Sequence, residues 1–271
     1  MAKYNFKFGK YWLSEFGAVS AEEPAIEIAQ RDVTFITVPG KDGKDCVDNG
    51  SYDNVEFKRK IAFVGCRDIK VKEKETQLIN SFAYMQGYQD FEDTDHNGMV
   101  TQAALKNFNS VAKTLRTMHT AELSFTRKPF WYLKSALEEI PLDMERLTGD
   151  GVELFNSYPA EAKPVIRFHM QFSSSSETTT GRVSFSIEST YNGEYYALNY
   201  NKSGIKFPET HPIIEYDCEN RRVTVTNESG DIYSFVDATI PTPLGEGKSV
   251  IKLNRTTRVN AVSIIPRWRC L

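Results

Sequence analysis

The stretch from Val38 to Val55, Val-Pro-Gly-Lys-Asp-Gly-Lys-Asp-Cys-Val-Asp-Asn-Gly-Ser-Tyr-Asp-Asn-Val, constrains the fold more than any other. It sets two chain reversals close together and then launches a strand. Pro39-Gly40 suits the central pair of a type II turn, where Pro presets φ and Gly accepts a positive one. Asp48-Asn49-Gly50 reads as a type I′ hairpin turn, which needs two successive residues tolerant of positive φ. From Val55 to Val64 the sequence mostly alternates. Val55, Phe57, Ile61 and Phe63 share one face, Glu56, Lys58 and Lys60 the other, and Arg59 interrupts the apolar row. The pattern predicts a half-buried strand of an antiparallel sheet, laid out by the turns before it.

At 271 residues, 40% apolar and 25% charged, the chain has the make-up of a globular protein with room for one large β domain or two ordinary ones. The net charge is −3. Residues 1–142 carry 19 Lys/Arg against 20 Asp/Glu, and residues 143–271 carry 14 against 16. Neither half has the basic footprint of a nucleic-acid binder. Met1–Lys10 interleaves charge with aromatics and shows no apolar h-region of a secretory signal. No apolar run approaches the ~20 residues that would span a bilayer. Cys46, Cys66, Cys218 and Cys270 show neither C-x-x-C pairing nor a His at ligand spacing, so free thiols in a reducing cytoplasm are expected.

Along the chain, Tyr4, Phe6 and Phe8 alternate with polar residues, Phe16-Gly17 marks a break, and Val33, Phe35 and Thr37 form a second alternating run. Leu78, Ile79, Phe82 and Met85 fall at helical spacing and predict an amphipathic helix over 73–88, closed by Gly87 and packed on the sheet. Asp93-Thr94-Asp95-His96-Asn97-Gly98 imitates the start of a calcium loop, but the twelfth position, which needs a bidentate acid, is Ala104. A polar hairpin tip is the expectation there. Thr101–Met118 reads two ways, because Leu105, Phe108, Ala112 and Leu115 would also line a helix face. Glu122–Leu133 is a clearer strand, ended or kinked at Pro129, and the domain boundary is placed at 142/143. The second half is uniformly β: 163–172, 182–187, 213–216, 222–226, 232–235, 250–253 and 261–265 read as short strands of an all-β sandwich. Ser173–Thr180 is expected as a hairpin loop between the first two of these.

No catalytic constellation emerges. Gly245-Glu246-Gly247-Lys248-Ser249 ends like a phosphate loop, but Thr242 stands where the first glycine belongs and a strand follows where a helix should. Gly149-Asp150-Gly151 lacks the third glycine of a dinucleotide fingerprint. His96, His119, His169 and His211 are not at ligand spacing from one another, and no G-x-S-x-G elbow is present. Neither a metal nor a cofactor is expected.

Val-Pro-Gly-Lys-Asp-Gly at 38–43 followed by Asp-Asn-Gly-Ser-Tyr-Asp-Asn-Val at 48–55 resembles the signature of the distal tail (Dit) proteins of long-tailed phages. Three further segments are similar to that family in the correct order. They are Phe125 with Lys128-Pro129-Phe130 and Tyr132, then Leu154-Phe155-Asn156 with Lys163-Pro164-Val165-Ile166, and finally Ile265-Pro266-Arg267-Trp268, where Arg269 replaces the family's second tryptophan. The resemblance implies a β-rich belt domain with one packed helix over 1–142 and a galectin-like β-sandwich over 143–271. It also favours strands over a helix in Thr101–Met118. By the same resemblance six copies would form a ring joining the tail tube to tail-associated (Tal), fibre or receptor-binding proteins, in a virion assembled in the bacterial cytoplasm. No enzymatic activity, nucleic-acid specificity or membrane insertion is implied. Pro39, Gly40, Asp42, Gly43, Asn49, Gly50 and Tyr52 are the candidate ring-interface residues. The alternative is a carbohydrate-binding adhesion module of a phage tail. Against it, of Trp12, Trp131 and Trp268 only the last lies in the sandwich half, and fold alone does not confer sugar binding.

Overall fold

The structure, a computed structural model, describes residues 4–64, 68–108, 112–115, 118–171, 183–191, 194–202, 211–226, 232–236, 244–256 and 258–271. The chain forms two units, Met1–Trp131 with Leu271, and Tyr132–Cys270. Both are mainly β, as the sequence predicts.

The first unit contains strands β1 (Phe6–Phe8), β2 (Tyr11–Trp12), β3 (Ala18–Ser20), β4 (Arg31–Thr37), β5 (Lys44–Tyr52) and β6 (Val55–Val64), then helix α1 (Asp68–Ala83). Strands β7 (Gln89–Asp93), β8 (Met99–Phe108), β9 (Ala112–Leu115) and β10 (Met118–Arg127) follow, and β11 (Trp131–Leu133) straddles the junction. One antiparallel sheet runs β2-β1-β7-β8-β10-β6-β3, with β9 beside β10. Strands therefore occupy the described residues of the ambiguous stretch 101–118, because tertiary pairing with β10 outweighs its helical spacing. The polar run 93–98 forms the tip between β7 and β8, with Met99 N–H bonded to His96 O at 2.9 Å.

The sheet buries a cluster of aromatic rings. Phe125 stands at its centre, 5.2 Å from Phe57, 5.3 Å from Phe8, 5.6 Å from Phe91 and 6.1 Å from Phe6 between ring centroids. These offset and edge-on contacts are the geometry that aromatic quadrupoles favour. Helix α1 covers the rings with Val71, Leu78 and Phe82, all buried. It starts five residues earlier than its pattern predicts, because Val71 extends the buried stripe, and it stops at Ala83, short of Gly87. Glu75, one turn from Val71 and Leu78, lies 2.8 Å from Nδ1 of the buried His119 on β10 and pins the helix to the sheet.

The second unit holds β12 (Ile140–Leu142), α2 (Met144–Thr148), β13 (Val152–Asn156), β14 (Val165–Met170), β15 (Val183–Tyr191), β16 (Glu194–Lys202), β17 (Ile213–Asp217) and β18 (Arg222–Thr226). It ends with β19 (Ile232–Val236), β20 (Gly247–Thr256), β21 (Val259–Ile265) and β22 (Arg269–Cys270). A six-stranded sheet, β12-β21-β14-β17-β18-β19, and a four-stranded sheet, β13-β20-β15-β16, share one core. Ile166, Phe168, Ile214, Tyr216, Val223, Val225, Val262 and Ile264 come from the first, and Ile251 and Leu253 from the second. Two sheets contributing alternate residues to one core make a β-sandwich. The expected hairpin loop Ser173–Thr180 lies outside the described residues; the strands before and after it, β14 and β15, belong to different sheets and do not pair with each other. Residues 132–142, grouped with the first half by sequence, lie in the second unit, where β12 pairs with β21 and Leu142 joins the core.

Candidate assembly interface

Among the described residues strands β4 and β5 pair only with each other, as a two-stranded ribbon separate from the sheet of the first unit. Its register is Thr37↔Lys44, Ile36↔Asp45, Phe35↔Cys46, Thr34↔Val47 and Val33↔Asp48. At the tip, Pro39-Gly40 makes the predicted turn: Lys41 N–H donates to Val38 O at 3.2 Å, and Gly40 has φ +81°. Asp42 and Gly43 complete the tip, both exposed.

Asp48-Asn49-Gly50 departs from expectation. It is a bulge inside β5 and not a hairpin turn. Val33 faces Asp48 while Arg31 faces Tyr52, so Asp32 alone stands opposite Asn49, Gly50 and Ser51. The residue types are those of a tight turn, since Gly50 has φ +74°, but pairing with β4 on both sides keeps the chain running forward. The Asp32 carboxylate fastens both flanks, accepting from Asn49 Nδ2 at 2.9 Å and from Ser51 Oγ at 3.0 Å. Asn49 Nδ2 also donates to Thr34 Oγ1 at 3.0 Å. Gly50 N–H donates to Asp48 Oδ1 at 2.9 Å, and Arg31 pairs with the same carboxylate. Together the Gly50 N–H and the Arg31 guanidinium hold the Asp48 carboxyl below its ordinary range. Tyr52 closes the base, edge-on to Phe130 at 5.5 Å.

The structure thus divides the seven candidate residues into two groups. Pro39, Gly40, Asp42 and Gly43 form the tip, and Asn49, Gly50 and Tyr52 the base, about 20 Å apart at ~3.3 Å per strand residue. Between them lies an apolar surface that the sequence reading missed. Phe35 is 59% exposed, and Val33, Ile36, Val38 and Val47 are exposed as well. The alternation of Val33 and Phe35 has the look of a half-buried strand. Ile36, pointing to the opposite face, is the available sign that this strand carries apolar groups on both sides.

Upstream, the extended segment Glu22–Gln30 carries Ile26 and Ile28, 89% and 70% exposed. Ala29 is buried, Glu22 pairs with Lys60 at 3.0 Å, and midway the Glu27 carboxylate accepts from Arg59 Nη1 and Nη2 at 2.8 and 3.3 Å. Arg59, the break in the apolar row of β6, is 4% exposed and also donates to Tyr4 Oη at 3.0 Å. Burial acts to lower the Arg59 guanidinium, but Glu27 and Tyr4 leave it above its ordinary value. The phenol of Tyr4 is pushed well up by its own burial. Arg127 Nη2 donates to Glu27 O at 2.8 Å. Among the described residues no group of three or more His, Cys, Asp or Glu side chains is arranged to hold a metal ion.

No family model matches the chain, and no curated protein matches it by sequence. Solved structures do match. The Dit protein of phage SPP1, described as a paradigm of the hub adsorption apparatus in phages infecting Gram-positive bacteria, has a TM-score of 0.65 at 11% identity, over 96% of each chain. A chain of the phage p2 baseplate in its activated, Sr-bound conformation has a TM-score of 0.50 at 8% identity, over 97% of this chain and 96% of its own. With so little identity, the likeness is one of fold: along nearly its whole length the chain is folded like a phage Dit hub protein.

Proposed function

We propose that this chain is a structural virion protein, a distal tail hub subunit. Six copies would form a ring between the tail tube and the tail-tip or baseplate proteins that carry receptor binding. The first unit would be the ring-forming belt, and the sandwich a galectin-like outer domain to which tail-associated or fibre proteins attach. Synthesis would take place in the host bacterium, with the protein ending at the tail tip.

The observation that carries this reading is the β4–β5 ribbon. A two-stranded ribbon in water is marginal by itself, and this one exposes apolar side chains on both faces and a free edge on each strand. Such a surface suits association with further copies, and rings arise when a heterologous contact closes. The fold shared with a phage hub protein supports the same reading.

The test is the mass of the purified chain by light scattering, with negative-stain imaging of the same fraction. A hexamer with a central hole is expected. Phe35→Asp places a charge at an exposed position, so it should leave the melting temperature unchanged and shift the mass towards monomer. A hexamer that persists in Phe35→Asp would remove the ribbon from the interface.

A further inference from the structure

Two backbone bonds tie the segment upstream of the ribbon to β6 and to the residues just before it. Ala21 N–H donates to Lys60 O at 2.9 Å, and Asp53 N–H donates to Gln30 O at 2.9 Å. Between these ties lie residues 22–29 on one side and 54–59 on the other. An antiparallel ladder pairs residues one for one. The segment is therefore two residues too long to lie flat, and it bows away from the strand as a strap. Under the bow is a cavity of about 530 Å³, lined by Pro24, Ala25, Glu27, Phe57, Arg59 and Lys60 among others.

Backbone groups of alternate residues point to opposite edges of a strand. Lys60 O meets Ala21, so Lys58 and Glu56 also present their N–H and C=O to the strap. Lys58 O is met by Arg59 Nη1 at 3.0 Å and not by the strap backbone. Midway along the bow, side chains replace the ladder. The strap's outer residues Ile26 and Ile28 are largely exposed, and besides Glu22 on Lys60 at one end and buried Ala29 at the other, its inward grip is Glu27 on Arg59 and Arg127. Arg59 makes a rigid seat, with its guanidinium 4.6 Å above the Phe57 ring and bonded to Tyr4. The far end of the strap, at Gln30, runs directly into β4.

We propose that the strap is a hinged arm latched by Glu27, a positioning residue that acts through Arg59 to set the direction in which the β4–β5 ribbon leaves the sheet. Packing fixes the two ends, through buried Ala29 and through Tyr52 on Phe130, but under the middle of the strap the space is the cavity, and there Glu27 supplies the hold. A carboxylate lifted from Arg59 leaves a buried charge uncompensated, so the latch has one favourable seat. The consequence for assembly rests on reading the ribbon as the ring surface, whereas the latch itself does not.

The experiment is a spin-label distance measurement within the first unit of the full chain. One label sits on the exposed native Cys46 and the other on Tyr84→Cys, with the remaining cysteines replaced by Ser. The wild-type latch should give one narrow distance distribution, and Glu27→Gln a broad one. Leu123→Ala, which loosens the core of the same unit, should stay narrow. A narrow distribution in Glu27→Gln, or equal broadening in Leu123→Ala, overturns the proposal. Should Glu27→Gln not fold, Glu27→Asp keeps the charge but withdraws it by one methylene. It should broaden the distribution to a smaller degree, and a wild-type width there also overturns the proposal. Light scattering on the same samples separates the two readings: a wild-type chain that never assembles refutes the ring, while the distances still decide the latch.

Discussion

Replacing Gly50 with valine separates the energetics of the ribbon from those of the sheet behind it. Gly50 has φ +74°, and a Cβ built on it meets no atom within 4 Å. The substitution therefore costs backbone strain alone, about 1–2 kcal/mol for an L-residue in the left-handed region, and the upper part of that range for a β-branched one. Relieving the strain means flattening the bulge, which pulls Gly50 N–H from Asp48 and moves Asn49 and Ser51 off Asp32. All of those partners are themselves in the ribbon. A penalty of ~2 kcal/mol shifts a local equilibrium about 30-fold, enough to open a marginal two-stranded element. The sheet and its aromatic cluster lose no contact. The main melting transition should then move by less than about 2 °C, where a fully coupled change of this size in a small domain would move it several times further. Hydrogen exchange over 31–52 should speed up, and the mass should fall towards monomer. A melting temperature that drops by the full coupled amount would show the ribbon to be energetically one with the sheet. Unchanged exchange and unchanged mass would show that the bulge does not hold the ribbon together. Either result refutes the reasoning.

Phe125→Ala is the contrasting case: it empties the centre of the aromatic cluster and should cost about 3–5 kcal/mol by urea denaturation, with the second unit's transition unmoved. In the second unit, Asp217 is held below its ordinary carboxyl pKa. Burial acts to raise it, but the Arg267 charge and the hydrogen bonds from Asn220 outweigh that. A depressed folded-state pKa contributes stability above the unfolded value, about 3.9, and loses it as the pH falls through the folded one. Asp217→Asn should therefore destabilise the sandwich at neutral pH and differ progressively less from wild type below about pH 4. Urea midpoints across that range check it, and a gap independent of pH would assign the loss to hydrogen bonding alone.

Periodicity under burial was the legible part of the sequence. The alternation in β6, β10, β17 and β18, and the helical stripe ending at Phe82, each face a core, so pattern and environment agree. Pattern and structure part where the environment changes the meaning of a residue type. Asp48-Asn49-Gly50 has the chemistry of a turn, but a partner strand on both sides makes it a bulge. Val33 and Phe35 have the pattern of a half-buried strand with no core behind them. Strand β16, Glu194–Lys202, escapes the sequence reading altogether, and β13 is not among the strands read from periodicity. At the candidate interface the turn residues are readable and the apolar surface between them is not. Exposure is a property of the neighbours, and the sequence of one strand does not contain it.

That mismatch is itself an argument about the ribbon. Apolar side chains contribute about 25 cal/mol for each Å² removed from water, and Val33, Phe35, Ile36, Val38 and Val47 gain little of this in the isolated chain. A paired but unburied ribbon with open edges is also a template for uncontrolled strand addition, which natural sheets usually blunt. This ribbon carries charges that could blunt it, but most are spent internally: Arg31 on Asp48, Lys41 on Asp45, and Asp32 on Asn49 and Ser51. Those bonds fix the register and shape of the ribbon and leave its apolar surface uncovered. Local chemistry that holds a surface rigid without hiding it has a physical purpose if something else covers that surface. The Phe35→Asp and Gly50→Val variants test the two halves of that argument separately, one by spoiling the surface and the other by loosening its frame.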